Sequence, residues 1–148
     1  MNASRPLERP DQSRIIVRGV NWLGDAVMST PALLRLREAH PKAFIGLLTP
    51  GKLADLWQHH PAVDTVLSFE PGDGLFSIAR RVRGGNYDLG LVLPNSFQSA
   101  LELRWAAVPE RIGYAGQMRT WLLTRAVSQR PDAVRMRKRS VREIRSLV

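Results

Sequence analysis

Residues 14–40 read RIIVRGVNWLGDAVMSTPALLRLREAH, and this stretch decides the predicted fold. Three apolar residues between two arginines at its start are typical of a short buried strand. Over residues 24–40, the apolar residues Val27 and Leu34 are at helical spacing, and Leu33 and Leu36 lie next to them. The stretch therefore predicts a strand, a glycine-containing loop and a helix. Pro31 either kinks that helix or is its first residue, behind Thr30 as the cap.

The same alternation continues along the chain. Strands are predicted at residues 43–48, 63–69 and 87–93, and helices at residues 52–59, 75–82 and 96–107. A further strand is predicted at residues 110–114, and residues 118–123 form a short helical or extended piece. Strands that alternate with helices at this spacing predict right-handed crossovers. The predicted fold is α/β and doubly wound, a Rossmann-like parallel sheet flanked by helices.

The composition is that of one folded domain. Hydrophobic residues make up 44% of the 148 residues and charged residues 24%, which excludes the low-hydrophobicity class of disordered chains. The absence of cysteine excludes a disulfide framework and thiolate metal sites, and it fits a reducing cytoplasm. The sequence has no apolar run long enough to span a membrane, and its polar start lacks a signal-peptide core. We expect a cytoplasmic domain.

The net charge of +9 calls for a polyanionic partner. Nucleic acid, anionic lipid headgroups and phosphorylated substrates all fit such a surface, and composition leaves the three open. Residues 131–148 hold six of the basic residues against two acidic ones, a net charge of +4. This segment predicts an amphipathic helix whose apolar stripe is Val134, Val141, Ile144 and Val148.

The loop after the first predicted strand offers a candidate base. Gly19 and Gly24 have the spacing of a phosphate-binding loop, but Asp25 and Ala26 stand where that loop carries Lys and then Ser or Thr. A carboxylate at a helix N-terminus is favoured in its ionised form by the helix dipole. At a strand end, Asp25 can take a proton from an attacking hydroxyl in sugar transfer. The alternative is that Asp25 caps the helix, the commoner role for aspartate there.

The loop after the predicted strand at residues 87–93 is rich in hydrogen-bonding groups. Asn95, Ser96 and Ser99 are suited to holding sugar hydroxyls at the start of the next helix. The alternative is that Asn95 or Ser96 caps this helix. The residues alone leave both interpretations open.

Three arginines near the end of this region have two interpretations. They either grip phosphate or sugar, together with Tyr114 and Trp121, or they are solvated: Arg111, Arg119 and Arg125. The three histidines show no metal-ligand spacing with acidic residues, so we predict no metal site. The tryptophans are predicted to pack in the core or a groove, with Trp22 in the first loop as the exception.

Taken together, these motifs resemble a known family. NWLGDAVMSTP at residues 21–31, LPNSFQSA at residues 93–100, RIGY at residues 111–114 and Arg119 resemble the ADP-heptose:lipopolysaccharide heptosyltransferases of glycosyltransferase family 9. The resemblance covers residues 14–127 in register. The motifs are individually short, but their order and their places at strand ends make the combination specific.

The resemblance implies the N-terminal half of a two-domain GT-B glycosyltransferase. Such an enzyme transfers heptose from ADP-heptose to the lipopolysaccharide inner core, heptose-Kdo-lipid A, with inversion. Asp25 then corresponds to the general base. The acceptor-binding residues implied by the resemblance are Asn21, Trp22, Gly24, Asn95, Ser96, Ser99 and Arg119. It implies neither a metal nor a cofactor.

The expected domain organisation has three parts. Residues 1–13 form a flexible leader, residues 14–130 the acceptor-side Rossmann-like domain, and residues 131–148 a basic amphipathic terminal helix or the start of an interdomain linker. A chain that stops at Val148 lacks the C-terminal domain that binds ADP-heptose. We expect it to be nearly inactive alone, because transfer requires donor and acceptor to be held together.

The expected partners follow from the same resemblance. They are the lipopolysaccharide core acceptor, ADP-heptose through the C-terminal domain, and the anionic surface of the inner membrane, where the protein is peripheral. Two alternatives stay open: a non-catalytic remnant, and a basic nucleic-acid-binding module. No nucleic-acid-binding motif is recognised in the sequence, so we expect no nucleic acid partner.

Overall fold

A computed structural model of the chain describes residues 13–116 and 118–128. In this part of the chain, six parallel strands form one sheet in the order β3-β2-β1-β4-β5-β6. The strands are β1 (Arg14–Arg18), β2 (Phe44–Pro50), β3 (Thr65–Phe69), β4 (Leu89–Val92), β5 (Glu110–Tyr114) and β6 (Arg125–Val127). This is the Rossmann strand order, and the predicted α/β parallel sheet is confirmed.

Helices cover both faces of the sheet. They are α1 (Leu23–Ala39), α2 (Ala54–Trp57), α3 (Leu75–Arg83) and α4 (Phe97–Trp105), with 3₁₀ turns at Gly51–Leu53 and Thr120–Leu122. Ile15 and Val17 of β1 share a core cluster with residues of α1 and α2. Ile16 faces the other way, into a cluster with residues of α3 and α4. The alternation along one strand thus separates the two helix layers.

The central position of β1 follows from its sequence. Ile15, Ile16 and Val17 have no exposed surface, as expected for a strand with helices on both faces. β1 pairs with β2 on one side and with β4 on the other. The strand order reverses at this point, so the carboxyl ends of β1 and β4 border the crevice where open α/β sheets bind ligands.

Two local expectations, for Pro31 and Ser13, need correction, and one strand was not predicted. Pro31 lies inside α1, which begins at Leu23, so the interpretation of Pro31 as the first helical residue is wrong. β6 was not predicted, because its three exposed residues have neither the length nor the apolar pattern of a buried strand. Ser13, assigned to the leader, is buried and its carbonyl accepts a hydrogen bond from Phe44 N at 3.0 Å. The predictions for residues 1–12 and 129–148 lie outside the described residues.

Gly90 in β4 has no room for a side chain. A Cβ atom there would lie 2.6 Å from Leu103 Cδ1 and 3.4 Å from Val108 Cγ1, both in the buried core. We expect Gly90→Ala to lower the free energy of unfolding by about 1–3 kcal/mol, because the packed core must shift. Urea unfolding measures the change. Gly72→Ala is the control, since a Cβ there meets no atom within 4 Å, and an equal loss in both variants would contradict the prediction.

Candidate functional site

A cleft of about 440 Å³ opens at the carboxyl edge of the sheet. Its walls come from the ends of β1, β2 and β3, from the 3₁₀ turn after β2 and from the start of α4. The lining residues are Arg18, Asn21, Pro50, Gly51, Lys52, Phe69, Glu70, Pro71, Asp73, Ile78, Ser96 and Gln98. Asn21 and Ser96 come from the two loops that the sequence singled out. The fold therefore brings these two loops to one cleft.

A buried ion pair lies in the wall of this cleft. Arg18, at the end of β1, contacts Glu102 of α4, with 2.6 Å between Nε and Oε2. The two side chains are 4% and 0% exposed, so both charges have been removed from water. The Arg18 guanidinium also lies 4.6 Å from the centre of the Phe69 ring. This pair joins the central strand to the helix that follows β4.

Arg18 also holds the loop that leads to α1. Its Nη1 donates hydrogen bonds to the carbonyl of Gly19 and, at 2.9 Å, to Oδ1 of Asn21. Gly19 is needed for close approach, because a Cβ there would lie 3.2 Å from the carbonyl oxygen of Leu48. Asn21 is therefore positioned by the ion pair beneath it.

Trp22 stands at the outer side of the same loop. Its side chain is 69% exposed, and Lys52 Nζ lies 4.8 Å from the centre of its ring. Trp22 is exposed as predicted, but it is not the exception among the tryptophans: Trp121 is 69% and Trp105 38% exposed, and only Trp57 is buried. Gly24 is also exposed, and a Cβ at this position would meet no atom within 4 Å.

Asp25 is exposed in the first turn of α1. The residue at the N-cap is Trp22, and no side chain caps this helix end. The alternative that Asp25 caps the helix is therefore not what the structure shows. No residue of the described ranges makes a hydrogen bond or ion pair with the Asp25 carboxylate. The carboxylate is therefore open to solvent, and Asp25 is not among the residues that line the cleft.

Ser96 and Ser99 form the cap of α4. Ser96 is the N-cap and its Oγ accepts a hydrogen bond from Ser99 N at 3.2 Å. Ser99 Oγ donates to the carbonyl of Ser96 at 2.8 Å, and the residue has no exposed surface. The capping interpretation is thus correct for Ser96, and the burial of Ser99 argues against its predicted contact with an acceptor. Asn95 is exposed, while Ser96 still lines the cleft.

Arg119 is buried, with 1% of its surface exposed. It holds the loop between β4 and α4, the second loop, against β5. Nε and Nη2 donate to the carbonyl of Tyr114 at 2.9 and 2.7 Å. Nη1 donates to the carbonyls of Pro94 and Ser96. Burial lowers the pKa of the guanidinium. Neither sequence interpretation of Arg119, phosphate binding or solvation, fits this geometry, and its predicted place among the acceptor-binding residues is corrected to a support of their loop.

The other two arginines of that set lie apart from the cleft. Arg111 donates to the carbonyls of Leu122 and Val108, at 2.7 and 2.6 Å. Burial, and then the nearby charge of Arg104, lower the pKa of Arg111. Arg125 is exposed on β6. Arg111 therefore supports the backbone around β5, as Arg119 does.

Acidic side chains line the cleft on the β3 side. Asp73 accepts hydrogen bonds from Glu70 N at 2.8 Å and from Arg81 at 3.0 Å. The hydrogen bond from the Glu70 backbone, assisted by Arg81, lowers the pKa of Asp73. With Arg18 and Lys52 on other walls, the cleft offers both donors and acceptors, which suits a polyhydroxylated ligand.

Sequence reasoning missed the charged residues of this cleft. The sequence did not single out five of them: Arg18, Lys52, Glu70, Asp73 and Glu102. A signal existed for the buried pair, because Arg18 is a charge that ends a buried strand and Glu102 is a charge inside an apolar helix. Within the described ranges, no three His, Asp or Glu side chains cluster in a way that could hold a metal ion. No helix in the same ranges is both long and apolar enough to cross a membrane.

The sequence profile of Glycosyltransferase family 9 (heptosyltransferase) matches residues 75–147. Lipopolysaccharide heptosyltransferase 2 of Salmonella typhimurium is 36% identical over 119 residues, and that of Escherichia coli 35% identical over 116 residues. The match to lipooligosaccharide heptosyltransferase 2 of Haemophilus ducreyi is 32% identical over 133 residues. The chain belongs to glycosyltransferase family 9.

Solved structures of this family superpose on the domain. ADP-heptose lipopolysaccharide heptosyltransferase II of E. coli aligns over 74% of the chain with a TM-score of 0.67 and 35% identity. A family 9 glycosyltransferase from Veillonella parvula aligns over 82% with a TM-score of 0.72 and 23% identity, which supports the fold alone. The chain spans about a third of the length of its relatives, 34% of the Salmonella and 33% of the E. coli protein.

The buried Arg18–Glu102 pair predicts how three variants differ in their free energy of unfolding. Arg18→Met leaves Glu102 buried without its partner, and we expect a loss of about 3–5 kcal/mol in the free energy of unfolding. The double variant Arg18→Met/Glu102→Leu removes both buried charges and should recover most of that loss. Arg35→Met, which breaks an exposed pair with Glu38, should cost less than about 1 kcal/mol. Urea unfolding of all three tests the pattern; a double variant as unstable as the single one would refute it.

Proposed function

We propose that this chain forms the acceptor-binding half of an inverting heptosyltransferase. In the full reaction, heptose passes from ADP-heptose to a hydroxyl of the lipopolysaccharide inner core. Asp25 is the general base, which takes the proton of that hydroxyl as it attacks the anomeric carbon, while the bond from that carbon to the phosphate oxygen breaks and ADP leaves. The free carboxylate of Asp25, exposed at the N-terminus of α1 with no partner in the described ranges, is the observation that supports this role most directly.

The acceptor lies in the cleft and against the loop before α1. Asn21 and Ser96 line that cleft from its two loops, and Trp22 offers an exposed ring against which a sugar can stack. Asn95 and Gly24 are exposed and complete the acceptor set of this proposal. Arg119 and Ser99 support the second loop from below instead of touching the sugar.

The donor site lies in the part of the relatives that this chain does not span. Transfer needs both substrates held in one geometry, so the 148 residues supply the acceptor and the base while a second domain supplies ADP-heptose. The acceptor is linked to a lipid, and the enzyme therefore works at the cytoplasmic face of the inner membrane. Its positive charge favours that anionic surface.

The role of Asp25 is tested in a fusion of this chain, in register, with the part of E. coli heptosyltransferase II that it does not cover. We expect Asp25→Asn to lower kcat by about 10²–10⁴-fold, because the base contribution is lost, while acceptor binding changes little. Initial rates with ADP-heptose and purified acceptor measure kcat, and acceptor titration measures binding.

Asp55→Asn is the matched control, because Asp55 is also an exposed aspartate in the first turn of a helix. It should leave kcat unchanged. If the Asp25→Asn fusion turns over at the rate of the parent fusion, the proposed base is wrong. A strain that lacks heptosyltransferase II tests whether transfer needs both halves. We expect the fusion to complement this strain and the 148 residues alone not to do so.

A further inference from the structure

An aromatic pair is exposed on the outer face of the α3–α4 layer. The rings of Phe76 and Trp105 lie 4.4 Å apart, centre to centre, and the side chains are 73% and 38% exposed. The apolar contacts of α3 with the core come from other residues, Ile78, Ala79 and Val82. Phe76 is therefore not needed to hold α3 on the sheet, and its exposure is a feature of the surface.

Exposed arginines surround this pair. Arg80 and Arg83 follow Phe76 at positions i+4 and i+7 of α3, which places the three on one stripe. Arg83 Nη2 donates to the carbonyl of Trp105 at 2.8 Å, so the stripe reaches the end of α4, where Arg104 is also exposed. We call Phe76, Arg80, Arg83, Arg104 and Trp105 the basic aromatic face.

Among the described residues, no carboxylate forms an ion pair with Arg80, Arg83 or Arg104, although Asp88 lines a pocket together with Arg83. The one acidic residue in the sequence of α3 and α4 is Glu102, which is buried against Arg18. Asp73, just before α3, is paired with Arg81. Arg104 lies close enough to Arg111 for its charge to lower the pKa of the Arg111 guanidinium, which indicates a positive potential at this end of α4. The face is positively charged and apolar at the same time.

We propose that the basic aromatic face binds the surface of an anionic phospholipid bilayer. The arginines are attracted to lipid phosphates, and the two rings enter the interface, where an apolar body next to charged groups is favoured. Duplex DNA would use the arginines but would leave the aromatic pair exposed to water. The exposed pair therefore favours a bilayer over a nucleic acid.

The position of the face fits a lipid-linked substrate. Asp73 and Ile78 line the cleft, and Phe76 lies between them in sequence, at the cleft end of α3. The face thus begins near the cleft at Phe76 and extends along the helix layer to Arg83, Arg104 and Trp105, which lie at the C-terminal ends of α3 and α4. The inference rests on the proposed function, in that a lipid-linked acceptor brings the enzyme to a membrane, but vesicle binding itself requires no transfer.

The test uses the 148-residue chain and vesicles of phosphatidylcholine with 30% phosphatidylglycerol. We expect binding that weakens with salt and is absent on pure phosphatidylcholine. Arg80→Gln/Arg104→Gln should weaken binding by about 30-fold, at about 1 kcal/mol for each charge near the surface. Phe76→Ser should weaken it by about tenfold, because the ring no longer enters the interface. Partition coefficients from vesicle sedimentation measure both.

Matched controls lie outside the basic aromatic face, on α1, α2 and the edge strand β6. Arg35→Gln/Arg125→Gln removes the same number of charges, and Leu56→Ser removes an exposed apolar side chain from α2. Both should bind the vesicles as the parent chain does. Because the chain has no cysteine, a polarity-sensitive dye on Ser77→Cys should shift to the blue with anionic vesicles, and the same dye on Leu56→Cys should not.

Three results would overturn the inference: no binding to the anionic vesicles, equal losses in the face variants and their controls, or binding of duplex DNA through the arginines with Phe76→Ser unchanged and no vesicle binding. Asp25→Asn separates this inference from the proposed function. That variant should bind vesicles normally whether or not Asp25 is the base, so a failure of transfer and a failure of membrane binding are distinguished.

Discussion

The ion pair of Arg18 and Glu102 connects the central strand to the helix that follows β4, at the point where the strand order reverses. Two charges that are almost fully removed from water must stay together, because separation would leave a buried charge unpaired. Arg18 therefore has little freedom, and its remaining hydrogen bonds fix Gly19 and Asn21. The geometry of the loop before α1, and with it the start of the helix that carries Asp25, depends on this pair.

Arg119 does for the second loop what Arg18 does for the first. Its guanidinium reaches the carbonyls of Tyr114, Pro94 and Ser96, and thereby ties the loop before α4 to the end of β5. These two loops at the carboxyl edge are thus each supported by a buried arginine. Asn21 and Ser96, which make hydrogen bonds of their own with Arg18 and Ser99, thereby face the cleft from fixed positions. A site with rigid loops needs less reorganisation when it binds a ligand.

The apolar pattern of the sequence predicted most of the fold. β1 and β5 have the predicted bounds. In β1 the reason is plain, because an apolar run between two arginines marks a short buried strand. Burial of polar residues was not predictable in this way. Ser99 and Arg119 were interpreted as ligand contacts because they are polar and follow strands, but tertiary contacts bury both. Hydrophobic periodicity indicates which apolar residues are buried. It does not indicate which polar groups form hydrogen bonds within the fold.

The structure shows that only part of the positive charge lies on an open surface. Arg18, Arg37 and Arg81 are paired with carboxylates, and Arg111 and Arg119 donate to backbone carbonyls, so these five support the fold. Charge that is satisfied internally contributes less to the attraction of a polyanion than charge on an open surface. Arg80 and Arg104 are of the second kind. Arg83 donates to the carbonyl of Trp105 but is exposed as well, and the three lie around an exposed aromatic pair. The location of the arginines, more than their number, therefore determines which face of the domain meets an anionic partner.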